Sequence, residues 1–254
     1  MITLISPAKT LDLDSNNSEL KTSTYEFQSE STRIMKKLKS LSRKKIAGLM
    51  SLSENLSALN YQRFQQWSES PESKNVHPAV FMFKGEVYLG LDAKSLSKPE
   101  LVCAQNGLRI LSGLYGYLKP LDEIQPYRLE MGTTLPIGRN KDLYEFWGNK
   151  IAGAINSELK EHESSTIVNL ASNEYFKAAK VKEIKGEIIT PVFKDFKNGK
   201  YKVISFFAKK ARGVMARWII QNKIQNPDKL IEFNEIGYSY NEPLSTAANP
   251  VFTR

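Results

Sequence analysis

The chain has one cysteine, Cys103, and only two histidines, His77 and His162. A single thiol rules out an internal disulfide, and with no cleavable-looking amino terminus the reading is a protein of the reducing cytoplasm. Three soft or borderline ligands far apart in sequence fit no zinc spacing, so no metal site is expected and no cofactor is called for. Long apolar runs are also missing. The opening MITLISPAK meets Pro7 and Lys9 at once, too soon for a signal peptide, and no stretch approaches the roughly 18 apolar residues of a membrane span. Acidic residues are scarce: 36 Lys and Arg face 27 Asp and Glu, a net charge of +9 on 254 residues. Such an excess points to nucleic acid, an anionic surface or a phosphorylated ligand. The apolar fraction, 41%, is ordinary and sufficient for a real core.

Hydrophobic periodicity outlines the elements. ITLIS predicts a buried strand over 2–5, ended by Pro7. Residues 11–24 are polar and read as a loop. From 26 to 68 only helices are expected, with Ser42 and Ser53 as N-caps, Leu56, Leu59, Phe64 and Trp67 on one apolar side, and a helical hairpin broken at 51–53. AVFMF and EVYLG around Lys84-Gly85 read as a β-hairpin, strands 79–83 and 86–89. A helix over 99–111 follows, with Pro99 in its first turn. Further on come a helix over 142–160 capped by Asp142, a buried strand over 166–170, and a helix starting in ASNEYFKAA. EIITPVFKDF and KYKVISFFA read as a strand pair joined through 197–200, where Asn198-Gly199 is a type I′ turn signal. A helix over 209–224 ends at Pro227, and GYSY and PVFTR read as closing strands. With no repeat, linker or compositional break, the expectation is a single α+β domain with a mixed β-sheet and surrounding helices.

The positive charge is local. Arg33 to Lys45 holds seven basic residues and no acid. Lys194 to Arg217 holds eight, against Asp195 alone. Like charges at i,i+3 and i,i+4 repel, so runs without acids are either solvated faces or sites neutralised by an anion. On a helix Phe207, Ala211, Val214, Met215 and Trp218 share a side and face the core. Lys210 and Arg217 lie on one flank. Lys209 and Arg212 lie on another, continued by Gly213 and Ala216. Gly213 in a helix interior costs about 0.5–1 kcal/mol relative to alanine, which a close helix contact or a close ligand would explain.

ILSGLYGYLKPLDEIQPYRLEMGT, residues 110–133, sets glycines and prolines among tyrosines and Arg128. The segment is either a wall of the core or a backbone turn that grips an anion. Together with ISPAKTLD, NLASNEYF and FFAKKARGVMARWII it resembles the YaaA family of peroxide-stress proteins, in order from Met1 to Phe252. The resemblance implies a fold of the family's own, with a basic cleft and a helix-hairpin-helix-like element that binds duplex DNA, and a link to peroxide survival through low free iron. Set on this sequence, the hairpin would run from helix 99–111 through Gly113-Leu114-Tyr115-Gly116 to a second helix over 117–125. Two residues stand between its glycines where such turns usually carry one.

Lys9, Gly113, Gly116, Lys119, Arg128, Lys209, Lys210, Arg212 and Arg217 are therefore the candidate phosphate-binding residues. The expected partner is duplex DNA, held without sequence preference by a monomer. The alternative is an enzyme acting on a nucleotide or other phosphorylated small molecule in the same cleft. Ser6 and Lys9 form a conceivable nucleophile pair, and Asp122, Glu130 and Glu174 are conceivable acids or bases, though each is more often a cap or salt-bridge partner. A third reading, direct iron binding, is disfavoured by the poverty of His and Cys. No histidine lies near a motif, which argues against Ser-His-Asp hydrolysis.

Overall fold

The computed structural model describes residues 1–14, 21–72 and 75–254. The run ITLI forms β1 (Ile2–Ile5), buried along its whole length, and Thr10–Leu11 is a short β2. Of the loop expected over 11–24, residues 15–20 lie outside the described residues. Three helices follow where helices were expected: α1 (Gln28–Lys39), α2 (Arg43–Met50) and α3 (Glu54–Gln66). Ser42 and Ser53 are their N-caps, accepting from the Lys45 and Leu56 N–H groups. Ser51, in a left-handed conformation, closes α2. Leu56 and Leu59 are exposed, however, and the inward side of α3 carries Ser57, Asn60 and Phe64.

The hairpin expected over 79–89 is not there. After β3 (His77–Pro78), the AVFM segment is a helical turn, α4 (Ala79–Met82). β4 (Phe83–Lys84) is followed by a helix, α5 (Glu86–Leu91). All four α4 side chains are buried, and a short apolar run that is buried all round has no period to separate strand from helix.

α6 (Lys98–Gly107) begins as expected, with a Ser97–Glu100 capping box and a proline in its first turn. It stops four residues early, and Leu108–Ser112 is a fully buried strand, β5. The chain then turns at 113–115 into β6 (Gly116–Leu118), antiparallel to β5 with Ile110 opposite Leu118 and Ser112 opposite Gly116. The segment is thus a β-hairpin, and helices 99–111 and 117–125 do not flank its glycines. β7 (Glu123–Ile124) pairs with β3.

The helix expected over 142–160 is two, α7 (Leu143–Trp147) and α8 (Lys150–Leu159), broken at Gly148 with φ 49°. Asp142 caps the first, accepting from the Glu145 N–H at 2.9 Å. β8 (Thr166–Asn169) leads into α9 (Asn173–Phe176). EIITPVFKDF divides into β9 (Glu187–Ile189) and β10 (Val192–Lys197), which belong to different sheets. β11 (Lys200–Lys202) pairs antiparallel with β10, and both turn residues, Asn198 and Gly199, have positive φ as a type I′ turn requires. The strand expected to run through KYKVISFFA ends at Lys202, because α10 (Ser205–Gln221) begins earlier than periodicity predicted. β12 (Ser239–Tyr240) and β13 (Val251–Thr253) close the chain as expected.

The main sheet has the order β6-β5-β1-β8-β9, with β1, β5, β8 and β9 parallel. A second sheet runs β11-β10-β13-β12. One continuous hydrophobic cluster joins these sheets and the helices, which is the single α+β unit expected. Inside it, Arg109 is 2% exposed and forms an ion pair with Glu158. Tyr115 is fully buried, edge-on to Tyr25 and Tyr127. Among the described residues no helix is long and apolar enough to cross a membrane.

Candidate functional site

In the main sheet the chain leaves β1 toward β5 on one side, and leaves β8 toward β9 on the other. The carboxyl ends of β1 and β8 are adjacent while their connections diverge, which opens a crevice where parallel sheets commonly bind ligands. A cleft of about 690 Å³ lies there, lined by loop 6–10 after β1, by 170–175 after β8, by residues 84–88 around the start of α5, and by α10.

Hydrogen bonds tie these segments together. Ser6 Oγ accepts the Ser172 N–H at 2.8 Å and lies 3.3 Å from the Ser172 hydroxyl. The Tyr88 hydroxyl donates to the Ser6 carbonyl at 3.1 Å, and the Gly132 N–H donates to Glu174 at 2.9 Å. Lys9 and Arg128 both approach one oxygen of Glu130, at 2.9 and 3.2 Å. Ser6 and Lys9 are thus engaged with different partners rather than with each other. Burial pushes the phenol pKa values of Tyr88 and Tyr175 up, and the nearby Glu174 and Glu130 add to the effect at Tyr175. Both phenols stay protonated as donors.

Arg212 differs from every other cation of the cleft. It is half-buried on α10, burial alone pulls its pKa down, and it has no hydrogen-bond or ion-pair partner among the described residues. A desolvated guanidinium without an anion is costly. Lys209, one turn earlier, and Lys84 also line the cleft, and both are exposed. The carboxylates Glu86, Glu130 and Glu174 share the lining with these cations.

Of the nine residues singled out in the sequence, the cleft gathers Lys9, Lys209 and Arg212, with Arg128 behind it on Glu130. Arg217 instead donates to the Leu91 and Asp92 carbonyls, closing the end of α5. Lys210 is exposed outside the lining, and Lys119 is exposed in the turn that Asp122 stabilises. Gly113 and Gly116 are buried at the turn between β5 and β6. A side chain on Gly113 would strike the Leu129 carbonyl, and one on Gly116, at φ 72°, the Trp147 ring. Asp122 is likewise buried, bonded to Ser23, with burial raising its pKa. Sequence reasoning missed Lys84, Glu86, Tyr88 and Tyr175, the first three because their segment was read as a hairpin.

Among the described residues no group of three His, Cys, Asp or Glu side chains is arranged to hold a metal. Cys103 lies outside the cleft, and burial pushes its thiol pKa up, away from the thiolate that attacks peroxide.

A family model described as peroxide stress protein YaaA matches residues 1–244. The chain belongs to this family. A UPF0246 protein of Aliivibrio fischeri (strain MJ11) is 54% identical over 257 residues, covering all of this chain and 98% of its own. UPF0246 proteins of Saccharophagus degradans and Shewanella woodyi are each 52% identical over 254 residues, covering all of this chain and 99% of theirs. YaaA-family membership therefore extends over the segments that build the cleft, from loop 6–10 to α10.

Proposed function

We propose that the chain serves in peroxide stress by binding duplex DNA, with the cleft at the carboxyl ends of β1 and β8 taking backbone phosphate, and so helps limit iron-dependent damage. The observation that carries this reading is Arg212, a partly desolvated cation with no anion to neutralise it among the described residues. Lys209 beside it, and Lys210, Lys194, Lys197, Lys200 and Lys202, also have no carboxylate partner among the described residues. Contacts of this type fix DNA without reading its sequence.

The second reading is an enzyme acting on a nucleotide or another phosphorylated small molecule. It is favoured by the volume of the cleft, within the range of small-ligand sites, and by Glu130 and Glu174 in the same lining.

Titration of a labelled duplex across salt separates the two. For DNA binding, the logarithm of affinity falls linearly with log salt, by about 0.9 per phosphate neutralised. Arg212→Ala then weakens every duplex alike and lowers that slope by about 1. An affinity that is flat across salt, or an Arg212→Ala protein that binds duplex normally but no longer turns over a nucleotide, overturns the DNA reading in favour of the enzyme.

A further inference from the structure

The β10–β11 hairpin carries an aromatic pair on its outer face. Phe196 and Tyr201 are direct cross-strand neighbours with ring centroids 5.2 Å apart, and both are exposed, Phe196 by 60%. Val203 is exposed beyond them, and Phe206, exposed by 56%, opens α10 with its ring against Phe207. Large exposed aromatics gathered within a dozen residues are unusual on a surface with nothing to cover.

The charged side chains of the hairpin are lysines but for one, with Lys194 on the face of the rings and Lys197, Lys200 and Lys202 on the other. Lys197 and Lys200 face each other across the hairpin, a like-charged pair that destabilises a ladder unless an anion neutralises it. Lys194 lies two residues from Phe196 on the same face of β10, and Lys202 follows Tyr201. None of these four lysine side chains has an ion-pair or hydrogen-bond partner among the described residues. The one acid, Asp195, points inward and is taken up by Arg254 and Tyr238. On α10, Phe206 is three residues before Lys209 and four before Lys210, so it shares their side. Lys209 lines the cleft, which places this aromatic one helical turn from the rim.

Exposed π-faces set among unpaired lysines are what unstacked bases and their phosphates require: the rings stack, the ammonium groups follow the backbone. A second copy of the same surface would meet its own charge, and a membrane helix or peptide has no need of a paired aromatic ladder. We propose that the hairpin and the first turn of α10 form a stacking platform for unpaired bases. The chain then takes nucleic acid with a single-stranded stretch, its bases on Phe196, Tyr201 and Phe206 and its phosphates on the hairpin lysines and Lys209. The continuity with the cleft rests on the DNA reading above; the platform itself does not.

The test is a set of anisotropy titrations with oligothymidylate, oligouridylate and a blunt duplex. Single-strand affinity falls roughly tenfold for each aromatic removed in Phe196→Ala/Tyr201→Ala and in Phe206→Ala. The salt slope and the blunt-duplex affinity stay as in the wild type, because no charge is lost. Phe196→Trp keeps single-strand binding. Lys197→Ala/Lys200→Ala lowers the slope by about 0.7 per lysine. Preference for oligothymidylate assigns the platform to DNA, and preference for oligouridylate assigns it to RNA. Wild-type protein that ignores single strands overturns the platform, as does a Phe196→Ala/Tyr201→Ala protein that binds them undiminished. A concentration-dependent dimer abolished by the same variant also overturns it, making the patch an interface between copies. The cleft has a separate signal: if Arg212→Ala leaves duplex affinity intact while the aromatic variant loses single strands, the cleft reading falls and the platform stands.

Discussion

Gly90 and Gly213 face each other where α5 crosses α10. A Cβ on Gly213 would meet the Val87 carbonyl, and one on Gly90 the Lys210 carbonyl. The small flank of α10 is therefore a helix contact, and it brings Tyr88 and Arg212 to the same cleft.

Gly213→Ala tests this crossing. Intrinsic propensity favours alanine by about 0.5–1 kcal/mol, but overfilling a tight contact costs about 1–3 kcal/mol, and here the obstacle is backbone on a packed helix. The variant should have a lower urea midpoint with an unchanged slope. A higher midpoint would show that the helices separate freely.

Glu158 accepts from the Tyr117 hydroxyl at 2.8 Å, lies 3.4 Å from His162, and pairs with buried Arg109. Glu158→Ala strands the guanidinium in the core, at a cost of about 3–5 kcal/mol. Replacing both partners, as in Arg109→Met/Glu158→Leu, should recover much of that loss. Equal midpoints for the single and double variants would refute the pairing.

The Tyr115 hydroxyl accepts from Trp67 Nε1 at 3.2 Å and from the Gln125 N–H at 3.0 Å, and donates to the Gln125 carbonyl at 3.2 Å. Tyr115→Phe leaves these buried groups without partners, which costs about 1–3 kcal/mol. Thermal unfolding should shift down while duplex affinity, measured below the transition, is unchanged.

Burial lowers the His162 pKa from its ordinary 6.5, with the amino terminus adding to the effect and Glu158 opposing it. The unfolded chain then takes up this proton first. The stability it contributes is present above pH 6.5 and is lost as pH falls through that value toward the lowered folded one. His162→Gln should flatten the decline of stability with acidification in that window. An unaltered profile would place the pH dependence elsewhere.

Elements with strong local signals were legible. Ser42, Ser53 and Asp142 cap as their side chains dictate, and Asn198-Gly199 makes the only kind of turn its two positive φ values allow. Segments 79–82 and 108–118 were not, because both are buried along their whole length, and tertiary neighbours chose helix for the first and strand for most of the second. The site was half legible. Lys9, Lys209 and Arg212 follow from motif and charge. Lys84, Tyr88 and Tyr175 enter the cleft through a sheet order that sequence alone does not reveal. Gly113 and Gly116 carried an ambiguous signal, since tight turns against Leu129 and Trp147 need glycine as much as an anion grip would.

The place of β1 in the middle of the main sheet has a consequence in time. Its register partners include Leu108 on one side and Ile167 on the other. At elongation rates of about 5–20 residues per second, a growing chain holds this apolar strand on the ribosome for roughly ten to thirty seconds before both neighbours exist. Until β5 is made Ile2, Leu4 and Ile5 have no edge to join, and until β8 follows the crevice beside them does not yet exist. The nascent chain is exposed to wrong partners for longest at the strand on which the finished site depends.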